Sequence, residues 1–99
     1  MHARVSTAQY QLDKLDEGIQ IYRESVLPEM RQQSGFKGVM ALVDRSTGKA
    51  ISLSLWETET DARASGVGSA YMQENLAKLA PLFAAAPVIE TYEVAVQEV

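Results

Sequence analysis

The spacing of apolar residues changes period several times along the chain, and each change marks an element. Residues 3–10 alternate loosely, with Val5, Thr7 and Gln9 on one side and Ser6, Ala8 and Tyr10 on the other, which predicts a first strand. From Asp13 onward the period lengthens. Leu15, Ile19, Tyr22, Val26 and Met30 recur at steps of four, three, four and four and draw one apolar stripe along a helix. Asp16 and Glu17 fall in its first turn, where acids suit the positive helix end. Gly18 weakens this helix by about 1 kcal/mol, and Pro28 is expected to bend or thin its last turns. Gly35 stops it. Phe36 to Val43 reads as a second strand, almost unbroken in apolar character. Asp44 to Lys49 is a turn in which Gly48 supplies positive φ. Ala50 to Trp56 is a third strand, with Ile51, Leu53 and Leu55 pointing one way and Ser52, Ser54 and Trp56 the other.

Glu57 to Asp61 opens a short helix with Thr58 or Thr60 as its cap, and Gly66 and Gly68 break it. Met72, Leu76, Leu79 and Phe83 form the stripe of a second long helix, in which Pro81 predicts a kink or break. Pro87 then releases a last strand, Val88 to Val96, with Val88, Tyr92, Val94 and Val96 on one face. The order β-α-β-β-α-β predicts an α+β, ferredoxin-like domain: a four-stranded antiparallel sheet with two helices on one face. Those helices leave the other face open, and Ile51, Leu53 and Leu55 are assigned to it. An apolar patch of that size does not suit a soluble monomer, and pairing two such faces across a two-fold axis removes it. The expectation is a homodimer through the sheet faces, with a barrel-like core and the helices outside.

Composition narrows the chemistry. The 99 residues are 46% apolar and 22% charged with a net charge of -4, which suits one folded domain over residues 1–99. The chain has no cysteine, so a disulfide scaffold, a Cys-based metal site and a thiol nucleophile are excluded. Its single histidine is His2. No cofactor and no metal are expected; the run Glu57, Glu59 and Asp61 reads as charge complementing a helix N-terminus rather than as a metal cluster. Nine scattered basic residues against thirteen acids argue against nucleic acid. Met1 to Arg4 runs into the first strand without an apolar leader. The apolar run Leu79 to Ile89 is about half a membrane span and holds two prolines. No membrane partner and a cytoplasmic location are therefore expected.

The segments Glu24-Ser25-Val26-Leu27-Pro28, Gly35-Phe36-Lys37-Gly38, Leu42-Val43-Asp44-Arg45, Ser52-Leu53-Ser54-Leu55-Trp56-Glu57 and Tyr92-Glu93-Val94 together resemble the antibiotic biosynthesis monooxygenase (ABM) domain family over nearly the whole chain. The resemblance implies a dimeric α/β barrel with a ligand site in each subunit between the helices and the sheet. It implies a pocket walled by the Ser52, Ser54 and Trp56 face, with Trp56 matching the family's strand-end tryptophan. Tyr71 and Asn75 stand one helical turn apart and share a side of their helix. They join Trp56 as candidate catalytic donors, with Thr7, Tyr22, Ser52 and Ser54 as candidate substrate-binding residues.

Two functions follow from different classes. The first is a cofactor-independent monooxygenase that oxidises an electron-rich aromatic or polyketide-like substrate with O2. In that chemistry the substrate supplies the electrons, and the protein holds its anion, excludes water and directs donors at the developing oxyanion. The sequence shows no dedicated base for it. The second is a non-catalytic homodimer of the same fold that binds a small molecule. Haem degradation is set aside: such relatives use a helix histidine and a first-strand asparagine, and this chain has neither.

Overall fold

In the computed structural model, which describes residues 1–98, the first strand is β1 (His2–Tyr10). A 3-10 turn, Leu12–Lys14, leads into α1 (Leu15–Ile21). The helix then widens into a π-helical turn, Tyr22–Val26, before it resumes as α2 (Leu27–Arg31). The widening has a local cause. Pro28 carries no N–H for the carbonyl of Glu24, and its ring would press on that carbonyl in a regular helix. The Leu27 N–H instead bonds the carbonyl of Tyr22, five residues back, so one extra residue is absorbed ahead of the proline. Pro28 thus widens the helix upstream of itself rather than bending its end.

β2 (Phe36–Asp44) and β3 (Lys49–Trp56) follow. Gly48 turns the chain between them at φ 83, where a Cβ would meet the Tyr10 carbonyl oxygen at 2.6 Å. Next comes α3 (Glu59–Ala64), capped by Thr58, whose Oγ1 accepts from the Asp61 N–H at 3.1 Å. α4 (Ala70–Leu79) is capped by Ser69, whose Oγ accepts from the Met72 N–H at 3.1 Å. Pro81 lies in a 3-10 turn, Ala80–Leu82, and β4 (Phe83–Glu93) begins directly after it.

The last strand therefore starts earlier than its sequence pattern suggests. Phe83 belongs to β4 rather than to the helical stripe, and Val94 and Val96 lie past its end. Pro87 sits inside the strand. The sheet order β2-β3-β1-β4 puts β4 at an edge, where a residue without an N–H is tolerated. The register skips between Thr7↔Val88 and Gln9↔Ala85, a bulge that absorbs the proline.

All strand pairs are antiparallel and the helices cover one face, so the chain has the α+β ferredoxin-like architecture. Inner and outer faces divide by parity. On β3, Ser54 and Trp56 are buried beneath the helices, while Ile51, Leu53 and Leu55 face the open side. Met40, Leu42, Val88 and Tyr92 are exposed large apolar residues. The inner layer packs Leu15, Val26 and Met30 of the helical stripe against Tyr10, Trp56, Tyr71, Met72 and Leu79.

Candidate functional site

Between helices and sheet lies a half-open cavity of about 470 Å³. That volume falls within the roughly 300–1,000 Å³ of small-molecule sites. Its floor comes from the inward positions of β1, namely Arg4, Ser6, Ala8 and Tyr10, continued by Ala50, Ser52 and Ser54 of β3. Its roof is Leu15, Ile19, Tyr22, Val26 and Met30 from the first helical segment, with Tyr71, Met72, Asn75, Leu76 and Leu79 from α4. Tyr10 and Phe83 pack edge to face at 5.0 Å, and both line the cavity. Gly18 allows the close approach on that side, because a Cβ there would stand 3.0 Å from Tyr10 Cζ.

Most of the wall is apolar, and its polar groups are few. The Tyr22 hydroxyl and Ser52 Oγ share a hydrogen bond of 2.6 Å. The π-helical turn carries Tyr22, so the irregularity forced by Pro28 lies at the cavity roof. Asn75 is buried, and among the described residues neither its Nδ2 nor its Oδ1 has a hydrogen-bond partner of good geometry. Its amide still lies near enough to Tyr71 to favour the ionised phenol slightly. Burial dominates, however, and pushes the Tyr71 hydroxyl up to about 12. Tyr10 is likewise pushed up to about 12 by burial, and Tyr22 is raised for the same reason. All three tyrosines are neutral hydrogen-bonding groups at pH 7 and poor proton acceptors.

Arg4 is the group that sequence reasoning missed. It is 2% exposed, and its Nη1 donates to Ala62 O at 2.9 Å and to Ser65 Oγ at 3.1 Å. Its guanidinium stacks 4.7 Å above the Trp56 ring. Burial lowers its pKa, although a guanidinium still stays charged. The alternation of β1 ties position 4 to the parity of Ser6, Ala8 and Tyr10, but it takes the pairing of Arg4 with Ser54 on β3 to show that this parity points inward.

The other predicted residues separate into two groups. Tyr22, Ser52, Ser54, Tyr71 and Asn75 all line the cavity. Trp56 and Thr7 are not among its lining residues. Trp56 is 0% exposed, packs edge-on against Phe36 at 5.8 Å and donates its Nε1–H to Ser54 Oγ at 2.9 Å. Its indole N–H is thus committed within the protein, and the ring supports Arg4 from below. Thr7 sits cross-strand from Ile51 and Val88, on the face away from the helices, because β-strand side chains alternate and its neighbours Ser6 and Ala8 point inward.

The acids Glu57, Glu59 and Asp61 are spread among different partners. Asp61 accepts from Thr58 Oγ1, Glu59 pairs with Arg63, and Glu57 lies 4.0 Å from Lys37. Among the described residues no three His, Cys, Asp or Glu side chains gather as a metal site. Nor is any helix there long and apolar enough to cross a membrane.

Solved structures match this architecture along the whole chain. A monooxygenase from the gene ActVA-Orf6 of Streptomyces coelicolor, in complex with the ligand nanaomycin D, superposes with a TM-score of 0.82 at 14% identity, covering 99% of this chain and 90% of that one. An antibiotic biosynthesis monooxygenase candidate from Caulobacter crescentus CB15 gives 0.79 at 22% identity, covering 97% and 90%. The chain has the antibiotic biosynthesis monooxygenase fold. At these identities the likeness is one of fold, and a fold does not by itself fix a chemistry. No family model matches the chain. The uncharacterized protein Rv2557 of Mycobacterium tuberculosis is 34% identical over 95 residues, 96% of this chain. The chain spans 41% of that relative's length.

Proposed function

We propose that the chain is a single ABM-like domain acting as a cytoplasmic, cofactor-independent monooxygenase. It oxidises an electron-rich aromatic or polyketide-like substrate with O2. The observation that carries this reading is the Asn75 amide, buried in the wall of a mostly apolar cavity, with no hydrogen-bond partner of good geometry for either polar atom among the described residues. Such a group costs about 1–3 kcal/mol unless something pairs with it, so its place is explained if a ligand does. The ActVA-Orf6 monooxygenase, which shares the fold, is in complex with the ligand nanaomycin D and adds weight to a small-molecule site.

The chemistry begins with the ionised substrate, an enolate or phenolate. It gives one electron to O2, and the two radicals recombine as a peroxide that loses water to leave a carbonyl. For an anthrone the balance is anthrone plus O2 to anthraquinone plus water, with a methylene oxidised and one oxygen atom reduced to water. In this scheme the Tyr71 hydroxyl and Asn75 Nδ2 donate to the substrate oxygen as charge develops. The Tyr22–Ser52 pair and Ser54 fix the ring's orientation, and the aliphatic roof keeps water away from the peroxide. Trp56 serves by supporting the floor, and Thr7 falls outside the scheme.

We further propose that the open sheet faces pair in a homodimer. The exposure of Met40 (54%), Leu42 (47%), Val88 (57%) and Tyr92 (49%) beside Ile51, Leu53 and Leu55 supports this.

Aerobic and anaerobic incubation with anthrone- and naphthol-type substrates tests the function. One O2 should be consumed per quinone formed, and Tyr71→Phe and Asn75→Ala should each slow turnover by about 10²-fold or more. No oxygen uptake across the panel would end the oxidative reading. Saturable quenching of Trp56 without oxygen uptake would instead favour a non-catalytic binding protein, a reading supported by the neutral state of Tyr10, Tyr22 and Tyr71 at pH 7.

A further inference from the structure

The cavity has a charge pattern that the oxidative scheme leaves unused. The chain carries thirteen acidic residues against nine basic ones, yet among the described residues the cavity wall includes Arg4, Arg23 and Arg45 and no Asp or Glu. Arg23 and Arg45 are exposed at the rim, and Arg45 is already paired with Asp16 at 2.8 Å. Arg4 differs. It is buried, its two hydrogen-bond acceptors are both neutral, and among the described residues it has no carboxylate partner. A smaller hollow of about 280 Å³ on its α3 side is lined by Arg63 and Thr91 and adds no acid either.

A charge held out of water is costly unless an opposite charge or a full set of acceptors meets it. We infer that the ligand supplies that charge: the cavity takes an anionic aromatic molecule whose ionised oxygen seats on Arg4, with Asn75 Nδ2 as second donor. The anionic oxygen is either a phenolate or enolate, or a carboxylate. This rests on the proposed function for the location of the site, but it is tested by binding alone. A protein that binds the anion and consumes no oxygen therefore fails the oxidative reading and keeps this one.

The inference also removes the need for a side-chain base. A phenol whose conjugate anion sits beside a buried guanidinium has its pKa lowered by about 1–3 units, so its proton passes to solvent without a side-chain acceptor. The groups around Arg4 do not blur that step. Tyr22 on the π-helical turn and Tyr71 on α4 have pKa values raised above 10.0. Ala62 and Ser65 at α3 are neutral. Glu29, which acts on Tyr71 from α2, is paired with Lys78 at 2.9 Å, and Arg63 with Glu59.

The probes are naphthol, methoxynaphthalene and naphthoate, added to the intact protein. Binding is read from quenching of the single tryptophan and, for naphthol, from the absorbance of its anion across a pH titration. Bound naphthol is expected to titrate at least about one unit below free naphthol. Arg4→Gln should abolish that shift and weaken anion binding about tenfold or more, with methoxynaphthalene unaffected, and Arg4→Lys should restore most of it. A lowered naphthol pKa identifies a phenolate-type oxygen. Naphthoate bound more tightly than methoxynaphthalene, without a naphthol shift, identifies a carboxylate. The inference is overturned if methoxynaphthalene binds the wild-type protein as tightly as the other two and bound naphthol titrates as it does free. That comparison needs no variant, so it stands even if Arg4→Gln does not fold.

Discussion

Trp56→Phe separates a structural tryptophan from a catalytic one. The indole is fully buried, its N–H donates to Ser54 at 2.9 Å, its edge meets Phe36, and its face carries Arg4. A phenyl ring in its place loses the donor and leaves Ser54 Oγ without that partner, about 1 kcal/mol. It also removes about two buried carbons, roughly 1.6 kcal/mol at 0.8 per group. The stack under the guanidinium weakens by about 0.5 kcal/mol. The sum is about 3 kcal/mol, a large part of the about 5–15 kcal/mol that a domain of this size holds. Urea unfolding followed by circular dichroism, at one protein concentration so that self-association contributes equally, measures it. A loss below about 1 kcal/mol refutes the packing argument. Unchanged stability with abolished oxygen uptake would return Trp56 to the catalytic role that the family resemblance implies.

Gly18→Ala is expected to destabilise by about 1–3 kcal/mol although alanine is the better helix former, because its Cβ would collide with the Tyr10 ring; a rise in Tm would contradict this. Light scattering at micromolar concentration should show a dimer for the wild type and a monomer for Leu53→Asp, and a wild-type monomer would sink the sheet-face argument. At alkaline pH the folded protein should weaken. Tyr10 and Tyr71 have an ordinary value of 10.0 and are raised to about 12 in the fold, so the unfolded chain loses these protons first. Stability present up to about pH 10 is lost between pH 10 and 12, and tyrosinate absorbance should rise together with unfolding. Both phenols titrating near pH 10 with the circular dichroism intact would refute it. Tyr22→Phe should cost about 1 kcal/mol, and less in a Ser52→Ala background, because the two hydroxyls partner each other.

What the sequence determined by itself is the set of features governed by short-range geometry. Order and type of the elements followed from periods of two and of three to four. A threonine cap at residue 58 or 60 and the Gly48 turn followed from local hydrogen bonding and backbone freedom, and the fold chose Thr58. The alternation of β3 set Ser52 and Ser54 opposite Ile51, Leu53 and Leu55, and the spacing of Tyr71 and Asn75 set both on one side of α4; the fold turned those sides to the cavity. Tertiary structure decided what depends on neighbours distant in sequence. Pro87 was tolerated within β4 because the sheet order made that strand an edge, a fact no local pattern contains. The loose alternation of β1 did not say which parity faces inward; pairing with β3 turned Arg4 into the cavity and Thr7 away from it. Whether a tryptophan walls a pocket or supports one depends on what packs above it. Here Arg4 occupies that place, and a charge in a protein interior acquires its meaning from the partners around it.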